Sequence, residues 1–292
     1  GMDVVDLGTE FGVAITAARQ ADVQVFEGVV EVGRPGPAES SDRRRLGIGQ
    51  AVHIDGERGL VETAEFAPTG FARVMPGELE DPGLDRGLVA WWTFAETSGT
   101  VVRDASGHGH YGELVGAGFT MERAGVPGRV GRALAFDGHS TFIKVAHSED
   151  FELNALSIQA WIRPEGLQEA DAQIFSRNRC YGLGVGGNHW FKWYFWDRDA
   201  LLPWDFASGR WYHLVATFDG AQRECWIDGV KLGSLASNPP PARSGEVMIG
   251  TLGARDSCVF HGAIDDLRIY DRALGSDEIR ALYLRGVRPP AP

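Results

Sequence analysis

Short runs of alternating apolar and polar residues recur along most of the chain. Between residues 88 and 270 these runs are separated by turns rich in glycine, aspartate and serine. A period of two places successive side chains on opposite faces of a strand, so that one face can be buried. Strands are therefore predicted at 88–94, 133–136, 157–162, 211–218, 224–227, 247–249 and 267–270. This succession of short strands is typical of a β-sandwich or jelly roll.

The first 80 residues show the same pattern in shorter stretches. Phe11, Val13 and Ile15 would share one face of a strand, and further strands are predicted at 23–26, 29–32, 51–54 and 60–63. Residues 78–86 contain a Pro-Gly pair and several acids, a composition that suits a linker. We therefore predict a small β-rich domain over 1–78, a linker over 79–86 and a larger β domain over 87–288.

One segment near the end of the chain has helical periodicity. Ser276 can cap a helix whose first turn carries two acids, and Gly286 follows the last periodic residue. An apolar stripe along this segment should pack on the sandwich, and it consists of Ile279, Leu282 and Tyr283.

Composition and charge narrow the range of partners. The 39 glycines and nine tryptophans agree with an all-β class, in which tight turns join strands that carry large side chains. A net charge of −12 argues against a nucleic acid or an anionic membrane as partner, because either would need a basic surface. No apolar run approaches the roughly 18 residues of a membrane-spanning helix. The three cysteines lack metal-type spacing and are predicted to be small buried or half-buried residues.

Seven segments in serial order resemble the laminin-G-like family of concanavalin A-like jelly rolls. One of them reads Asp-Ala-Ser-Gly-His-Gly, and together they lie at 87–94, 104–109, 131–138, 157–162, 211–220, 227–230 and 264–274. The resemblance implies an all-β fold: a two-sheet jelly-roll sandwich of the concanavalin A-like type with a short C-terminal helix.

The N-terminal residues resemble, more loosely, the extracytoplasmic part of FecR-like regulators. The segments that carry this resemblance lie at 5–12, 23–32, 46–52 and 66–76, and they match the later part of such a domain. The resemblance implies a periplasmic or cell-surface location, a membrane anchor in the full-length protein and a link to cell-surface signalling.

The laminin-G-like family also implies a structural calcium ion. Its Asp-x-Ser-Gly loop meets the strand that begins Ile-Asp-Asp, which nominates Asp104 and either Asp265 or Asp266 as carboxylate ligands. Ser106 and backbone carbonyls near His108 would be neutral ligands, since Ca²⁺ collects six to eight oxygens. In the alternative interpretation Asp104 and Ser106 form an Asx-type turn, and Asp265 caps a loop by hydrogen bonding.

Residues 189–196 form an unusual run of aromatic side chains. On a strand, Phe191, Trp193 and Phe195 would share one face, and only one face needs to be core. The opposite face would expose flat rings, which suit stacking on sugars. The predicted ligand surface consists of Trp190, Lys192, Tyr194, Trp196 and the nearby Trp204. The alternative is that this strand packs against the N-terminal domain or a covering loop.

Catalysis is disfavoured by the pattern of acids. Retaining glycosidases need two carboxyl groups about 5–5.5 Å apart, which acids at alternating strand positions supply. The nearest candidate, Glu-Asp-Phe-Glu at 149–152, lacks the alternation and is predicted to lie in a loop. We therefore predict a non-catalytic, extracytoplasmic recognition module that binds carbohydrate. A structural or protein-interaction module and a diverged glycoside hydrolase are the alternatives.

Overall fold

The computed structural model of the chain describes residues 3–6, 10–17, 20–27, 29–33, 44–47, 49–55, 60–64, 83–168, 171–177, 180–195, 199–240, 245–253 and 258–287. The chain divides into two compact units, Gly1–Glu80 and Asp81–Pro292. The FecR-like segment at 66–76, the first half of the predicted linker and Trp196 lie outside the described residues.

The N-terminal unit consists of antiparallel strands. They are β1 (Asp3–Asp6), β2 (Glu10–Ala17), β3 (Gln20–Glu27), β4 (Val29–Gly33), β5 (Arg44–Gly47), β6 (Ala51–Asp55) and β7 (Leu60–Ala64). One sheet has the order β1-β4-β5, and another has the order β2-β3-β6-β7. On β3, Val23, Gln24 and Val25 are all buried, and Val23 lies opposite Val52 of β6. The consecutive strands β3 and β4 belong to different sheets.

In the part of the second unit that the structure describes, two large sheets form a sandwich. Sheet I has the order β18-β17-β16-β15-β22-β13-β10-β9. Its strands are β9 (Val101–Val102), β10 (Gly112–Val115), β13 (Phe142–Val145), β15 (Ala172–Arg177), β16 (Tyr181–Gly186), β17 (Trp190–Phe195), β18 (Ala200–Pro203) and β22 (Val247–Ile249).

Sheet II has the order β11-β12-β23-β14-β19-β20-β21, and β8 pairs with β23. Its strands are β8 (Leu88–Trp92), β11 (Gly125–Pro127), β12 (Arg132–Asp137), β14 (Leu156–Pro164), β19 (Tyr212–Phe218), β20 (Gln222–Ile227), β21 (Val230–Ala236) and β23 (His261–Tyr270). Two short helical turns interrupt the strands, the helix α1 (Met121–Ala124) and a 3₁₀ helix at Glu149–Phe151.

The sandwich core lies between the inner faces of the two sheets. Sheet II contributes alternate residues of β14, such as Ile158 and Ile162, and sheet I contributes Leu183, Phe191 and Trp193. Burying these apolar side chains is the main favourable contribution to the stability of the fold. Every strand predicted in the second unit is present, and the prediction of an all-β, two-sheet jelly roll is confirmed.

The outer face of sheet II is covered by the helix α2 (Ser276–Val287). Its buried residues Ile279 and Leu282 belong to a second apolar cluster with Val215 and Tyr270 of the sheet. The sequence analysis placed Gly286 after the end of the helix, but Gly286 lies inside it. A Cβ at Gly286 would stand 2.4 Å from the Trp161 indole, so the glycine is needed for this close packing.

Candidate functional site

Strand β17 divides its side chains as the alternating pattern predicts. Phe191, Trp193 and Phe195 are buried in the sandwich core. On the outer face of sheet I, Trp190 keeps 42% of its surface exposed, and Leu201 of the neighbouring strand β18 keeps 49% exposed. Trp190 lies opposite Pro203, and Lys192 lies opposite Leu201, so the four residues share one surface. We call the surface formed by Trp190, Lys192, Leu201 and Pro203 the β17–β18 patch.

Two members of the predicted ligand surface are less accessible than the sequence suggested. Lys192 and Tyr194 are buried, with 6% and 8% of their surface exposed. The ammonium of Lys192 contacts the carboxylate of Asp171 and lies 3.0 Å from that of Asp199. Burial alone would lower the pKa of Lys192, but hydrogen bonds to the two aspartates raise it, so the side chain stays charged. The expectation of a fully exposed outer face is therefore wrong at these two positions.

The end of the patch carries further polar groups. The backbone N–H of Trp204 donates to the carbonyl of His189, which places Trp204 beside the start of β17. His189 Nδ1 lies 2.8 Å from an oxygen of Asp205, and both side chains are largely exposed. Trp204 is half-buried and packs against the core. Exposed indole, exposed leucine and several carboxylates therefore occur together, while Trp196 lies outside the described residues.

Strand β16 carries glycines beside the patch. Gly184 lies opposite Lys192 and Gly182 lies opposite Tyr194. A Cβ at Gly184 would stand 2.4 Å from the carbonyl oxygen of Ala172, and one at Gly182 would stand 2.6 Å from that of Phe175. These glycines are thus required by the close approach of β15, which is bulged at this point.

Sequence reasoning missed Asp171, Asp199 and Leu201 as members of this surface. Asp171 precedes β15, and only the order of the strands brings it to Lys192. Asp199 and Leu201 follow residues 196–198 and alternate with Pro203, a pattern that could have placed them on the face of Lys192.

The acidic loop that begins at Asp104 is an Asx-type turn. One carboxylate oxygen of Asp104 accepts from the backbone N–H groups of Trp91 and Ser106, and the other accepts from that of His110. Burial alone would raise the pKa of Asp104, but these bonds together with the Ser106 side chain hold it below its ordinary value. The hydroxyl of Ser106 and the ring nitrogen Nδ1 of His108 both bond to the carbonyl of Val89. The loop is thereby tied to β8.

The acidic pair on β23 lies at a bulge. Trp161 of β14 pairs with Asp265 and Gln159 pairs with Arg268, so Asp266 is part of the irregular step between them, with a φ of 46°. One oxygen of Asp266 accepts from the Trp91 indole N–H at 2.6 Å and from Arg268 at 3.0 Å. Asp266 and Arg268 are both buried, and their opposite charges neutralise each other.

The same buried cluster extends to the next strand. The side-chain Nε2 of Gln159 donates to the carbonyl of Asp266, and its Oε1 accepts from Nε2 of His213 at 2.8 Å. Burial and the nearby charge of Arg268 lower the pKa of His213 to about 3, so its ring is neutral at physiological pH.

Asp265 points to a different part of the molecule. Its oxygen Oδ2 accepts from the backbone N–H groups of Arg129 and Val130, at 2.6 and 2.7 Å, in the turn between β11 and β12. Burial raises its pKa to about 7; the bonds from Val130 and Arg129 oppose the shift, and the charge of Asp266 adds to it. Asp265 therefore caps a loop.

The predicted calcium site shared by these two segments stays a prediction, and the observed contacts of its carboxylates are hydrogen bonds to backbone groups. Asp104 forms a bridge to Trp92 on one side of β8, and Leu267 of β23 pairs with Trp92 on the other side. Both oxygens of Asp104 and one oxygen of Asp265 are already bonded to peptide N–H groups. Among the described residues, no group of three or more His, Cys, Asp or Glu side chains could hold a metal ion. The alternative interpretation, an Asx turn and a loop cap, describes the observed bonds.

The acids at 149–152 form no strand. Glu149 and Asp150 lie on the 3₁₀ helix, which Ser148 caps, and Glu152 pairs with Arg177 at 3.1 Å. This arrangement lacks the alternation that a glycosidase strand of this architecture would supply.

In the comparison with protein families, residues 137–280 match the model described as the Concanavalin A-like lectin/glucanases superfamily. This stretch runs from the end of β12 into α2 and contains the β17–β18 patch. The comparison provides no match for a FecR-like region in the N-terminal residues.

A curated relative is pappalysin-1 of Mus musculus, which is 25% identical over 195 residues. The match covers 57% of this chain and 12% of the relative, so the chain corresponds to a small part of that protein.

Solved structures share the fold. Domain 4 of AbnA, a GH43 extracellular arabinanase from Geobacillus stearothermophilus in complex with arabinotriose, has a TM-score of 0.54 at 22% identity. The similarity covers 67% of this chain and 98% of that domain. The binding domain of Paraclostridial Mosquitocidal Protein 1 also has a TM-score of 0.54, at 17% identity, over 68% of this chain and 52% of that one.

The described helices include none that combines the length and the apolar character needed to cross a bilayer.

Proposed function

We propose that the second unit is a non-catalytic carbohydrate-recognition module and that the β17–β18 patch is its binding surface. The observation that carries the proposal is Trp190, a large aromatic side chain with 42% of its surface exposed on a strand whose other rings are buried. An exposed indole offers a flat apolar face to the C–H groups of a sugar ring.

Polar groups around Trp190 would complete the recognition of a sugar. Lys192, two residues along β17 from Trp190, holds Asp171 and Asp199, and Asp205 is paired with His189, the residue before Trp190. Such carboxylates accept hydrogen bonds from sugar hydroxyl groups, while the apolar ring supplies contact area. The similarity to an arabinanase domain in complex with arabinotriose, and the match to a lectin and glucanase family, support this choice of ligand.

The test is a screen of the intact protein on a glycan array and on insoluble polysaccharides, followed by the substitution Trp190→Ala. We expect this substitution to weaken retention about tenfold or more, as when a tryptophan at the centre of an interface is truncated. Tyr111→Ala is the matched control, because Tyr111 is also an exposed aromatic residue, at 57%, but lies in another loop. Equal losses for the two variants, or no glycan binding by the parent protein, would count against the proposal. Binding of a protein partner that Trp190→Ala abolishes would favour an interaction module.

We further propose that the N-terminal unit is FecR-like, that the protein acts in the periplasm or at the cell surface, and that sugar binding feeds a signalling system. The support is the resemblance carried by 5–12, 23–32 and 46–52. Fractionation of cells that express the full-length protein tests the location, and recovery in the cytoplasmic fraction would contradict it.

A further inference from the structure

A cavity lies on the outer face of sheet II, on the opposite side of the sandwich from the β17–β18 patch. Its volume is about 260 Å³, and it is lined by Arg129, Trp161, Arg210, Trp211, Asp228, Tyr283 and Val287. These residues come from five separate parts of the second unit: the β11–β12 turn, strand β14, the residues just before β19, the β20–β21 turn, and helix α2. Their spacing in the sequence gives no indication that they meet.

Trp161 forms one wall of the cavity and is held from several sides. Its ring stacks on that of Tyr283, with centroids 5.6 Å apart and an angle of 20° between the planes. The guanidinium of Arg129 lies 5.2 Å from the centre of the same ring. Arg129 is positioned by its turn, which Asp265 holds through two backbone N–H groups. This wall is therefore fixed before any ligand binds.

The opposite wall combines charge with a second indole. Arg210 lies 3.5 Å from a carboxylate oxygen of Asp228. The other oxygen of Asp228 accepts from the backbone N–H of His213 at 2.8 Å, which fixes the carboxylate. Trp211 is half-buried, and Arg163 lies over its ring at 5.3 Å.

The charges select the class of ligand. Two arginines and one aspartate line the cavity, so it has an excess of positive charge in a chain whose net charge is −12. Guanidinium groups bind carboxylates through paired, charge-assisted hydrogen bonds. The fixed carboxylate of Asp228 accepts hydrogen bonds from hydroxyl groups, and the partly exposed rings of Trp211 and Tyr283 offer apolar faces.

The volume limits the size of the ligand. Sites for drug-sized molecules have volumes of about 300–1,000 Å³, so this cavity suits a single ring with its substituents. A ligand that satisfies all of these features has a carboxylate, several hydroxyl groups and a flat apolar face. We propose that the cavity binds a sugar unit that carries a carboxylate, such as a hexuronic acid, either free or within a polysaccharide.

The proposal is tested by titrating the intact protein with glucuronate, glucose and inorganic phosphate, with calorimetry and tryptophan fluorescence as readouts. We expect glucuronate to bind with a Kd on the order of 1 mM, as suits so small a ligand, and at least tenfold more tightly than glucose. Arg210→Gln should abolish this preference, and Arg210 is exposed enough, at 62%, for the variant to fold. Arg129→Gln should weaken binding similarly, with its thermal melt checked because Arg129 packs on Trp161.

The controls separate this site from the β17–β18 patch. Arg103→Gln removes the same charge at an exposed position just after β9 and should leave glucuronate binding unchanged. Trp190→Ala should also leave it unchanged, so this proposal and the proposed function can fail independently. Oligoglucuronates distinguish a chain ligand from the free acid by tighter binding that still requires Arg210. Equal affinity for glucose and glucuronate, phosphate binding without glucuronate binding, or full binding by Arg210→Gln would overturn the proposal.

Discussion

The loop at Asp104 and the bulge at Asp265 use carboxylates in opposite ways. Asp104 receives three backbone N–H groups and has a lowered pKa, so it is a charged organiser of its loop. Asp265 receives two, one of its oxygens is buried without a hydrogen-bond partner, and burial raises its pKa to about 7. Whether an acid stabilises the folded state as an anion therefore depends on how many hydrogen-bond donors it receives relative to its burial. The residue type alone does not decide it.

The substitution Asp104→Ala tests this comparison with the largest expected loss of stability. It leaves the N–H groups of Trp91, Ser106 and His110 without their acceptor, which should lower the free energy of unfolding by about 3–5 kcal/mol. The melting temperature of the second unit should fall by roughly 10 °C. Tryptophan fluorescence reports on this unit alone, because all nine tryptophans lie between residues 91 and 226.

The variant Asp104→Asn sharpens the result. Its side chain keeps one acceptor oxygen for Trp91 and Ser106 but turns an N–H₂ group toward His110, so its melting temperature should lie between those of the parent and Asp104→Ala. A melting temperature for Asp104→Ala within 2 °C of the parent's would show that the loop does not depend on the carboxylate.

A somewhat smaller effect on stability is expected from the titration of Asp265 as the pH changes. The folded state holds the Asp265 proton more tightly than the unfolded state, since its pKa rises from 3.8 to about 7. Stability should therefore fall as pH rises from about 4 to 7, by on the order of 2–4 kcal/mol. Asp104, with its lowered pKa, contributes the opposite dependence, because its stabilisation is lost only as pH falls below about 4.

Asp265→Asn should flatten the fall in stability between pH 5 and 8, because the amide oxygen can still accept from Arg129 and Val130 and carries no charge. Thermal melts at several pH values measure this, with the exposed Asp85→Asn as the matched control. If the variant and the parent show parallel pH profiles, Asp265 is ionised in the folded state across this range.

The smallest expected effect concerns calcium. Since the two acidic segments bond to peptide groups and lie on either side of β8, adding Ca²⁺ or EDTA should shift the melting temperature by less than about 2 °C. Thermal melts with about 5 mM Ca²⁺ or about 5 mM EDTA measure this shift, since such a Ca²⁺ concentration roughly saturates an extracellular-type site. A larger rise with Ca²⁺ that Asp104→Ala removes would restore a calcium site that uses Asp104.

Sequence reasoning located the elements because their signals are local. Alternation on β14 and β19, and the helical stripe with Ile279 and Leu282, are visible within ten residues, and both were found. The face of β17 that enters the core was predicted for the same reason.

The parts that sequence reasoning missed depend on partners far away in the chain. The sequence predicts an exposed Lys192, but the order of the strands places Asp171 and Asp199 against its ammonium. The bulge at Asp266 depends on the register between β14 and β23, which no local pattern specifies. The cavity around Trp161 is assembled from residues as distant as Arg129 and Tyr283.

The position of β23 in sheet II has a consequence for the order of folding. This strand pairs with β8, β12 and β14, yet it is the last strand in the sequence. During synthesis most of the second unit is therefore translated before β23, the strand that pairs with β8, β12 and β14. The sandwich should close only after translation of His261–Tyr270, through contacts with residues more than 100 positions earlier, and such non-local closure is slow. Until then its unpaired strand edges can pair with other chains.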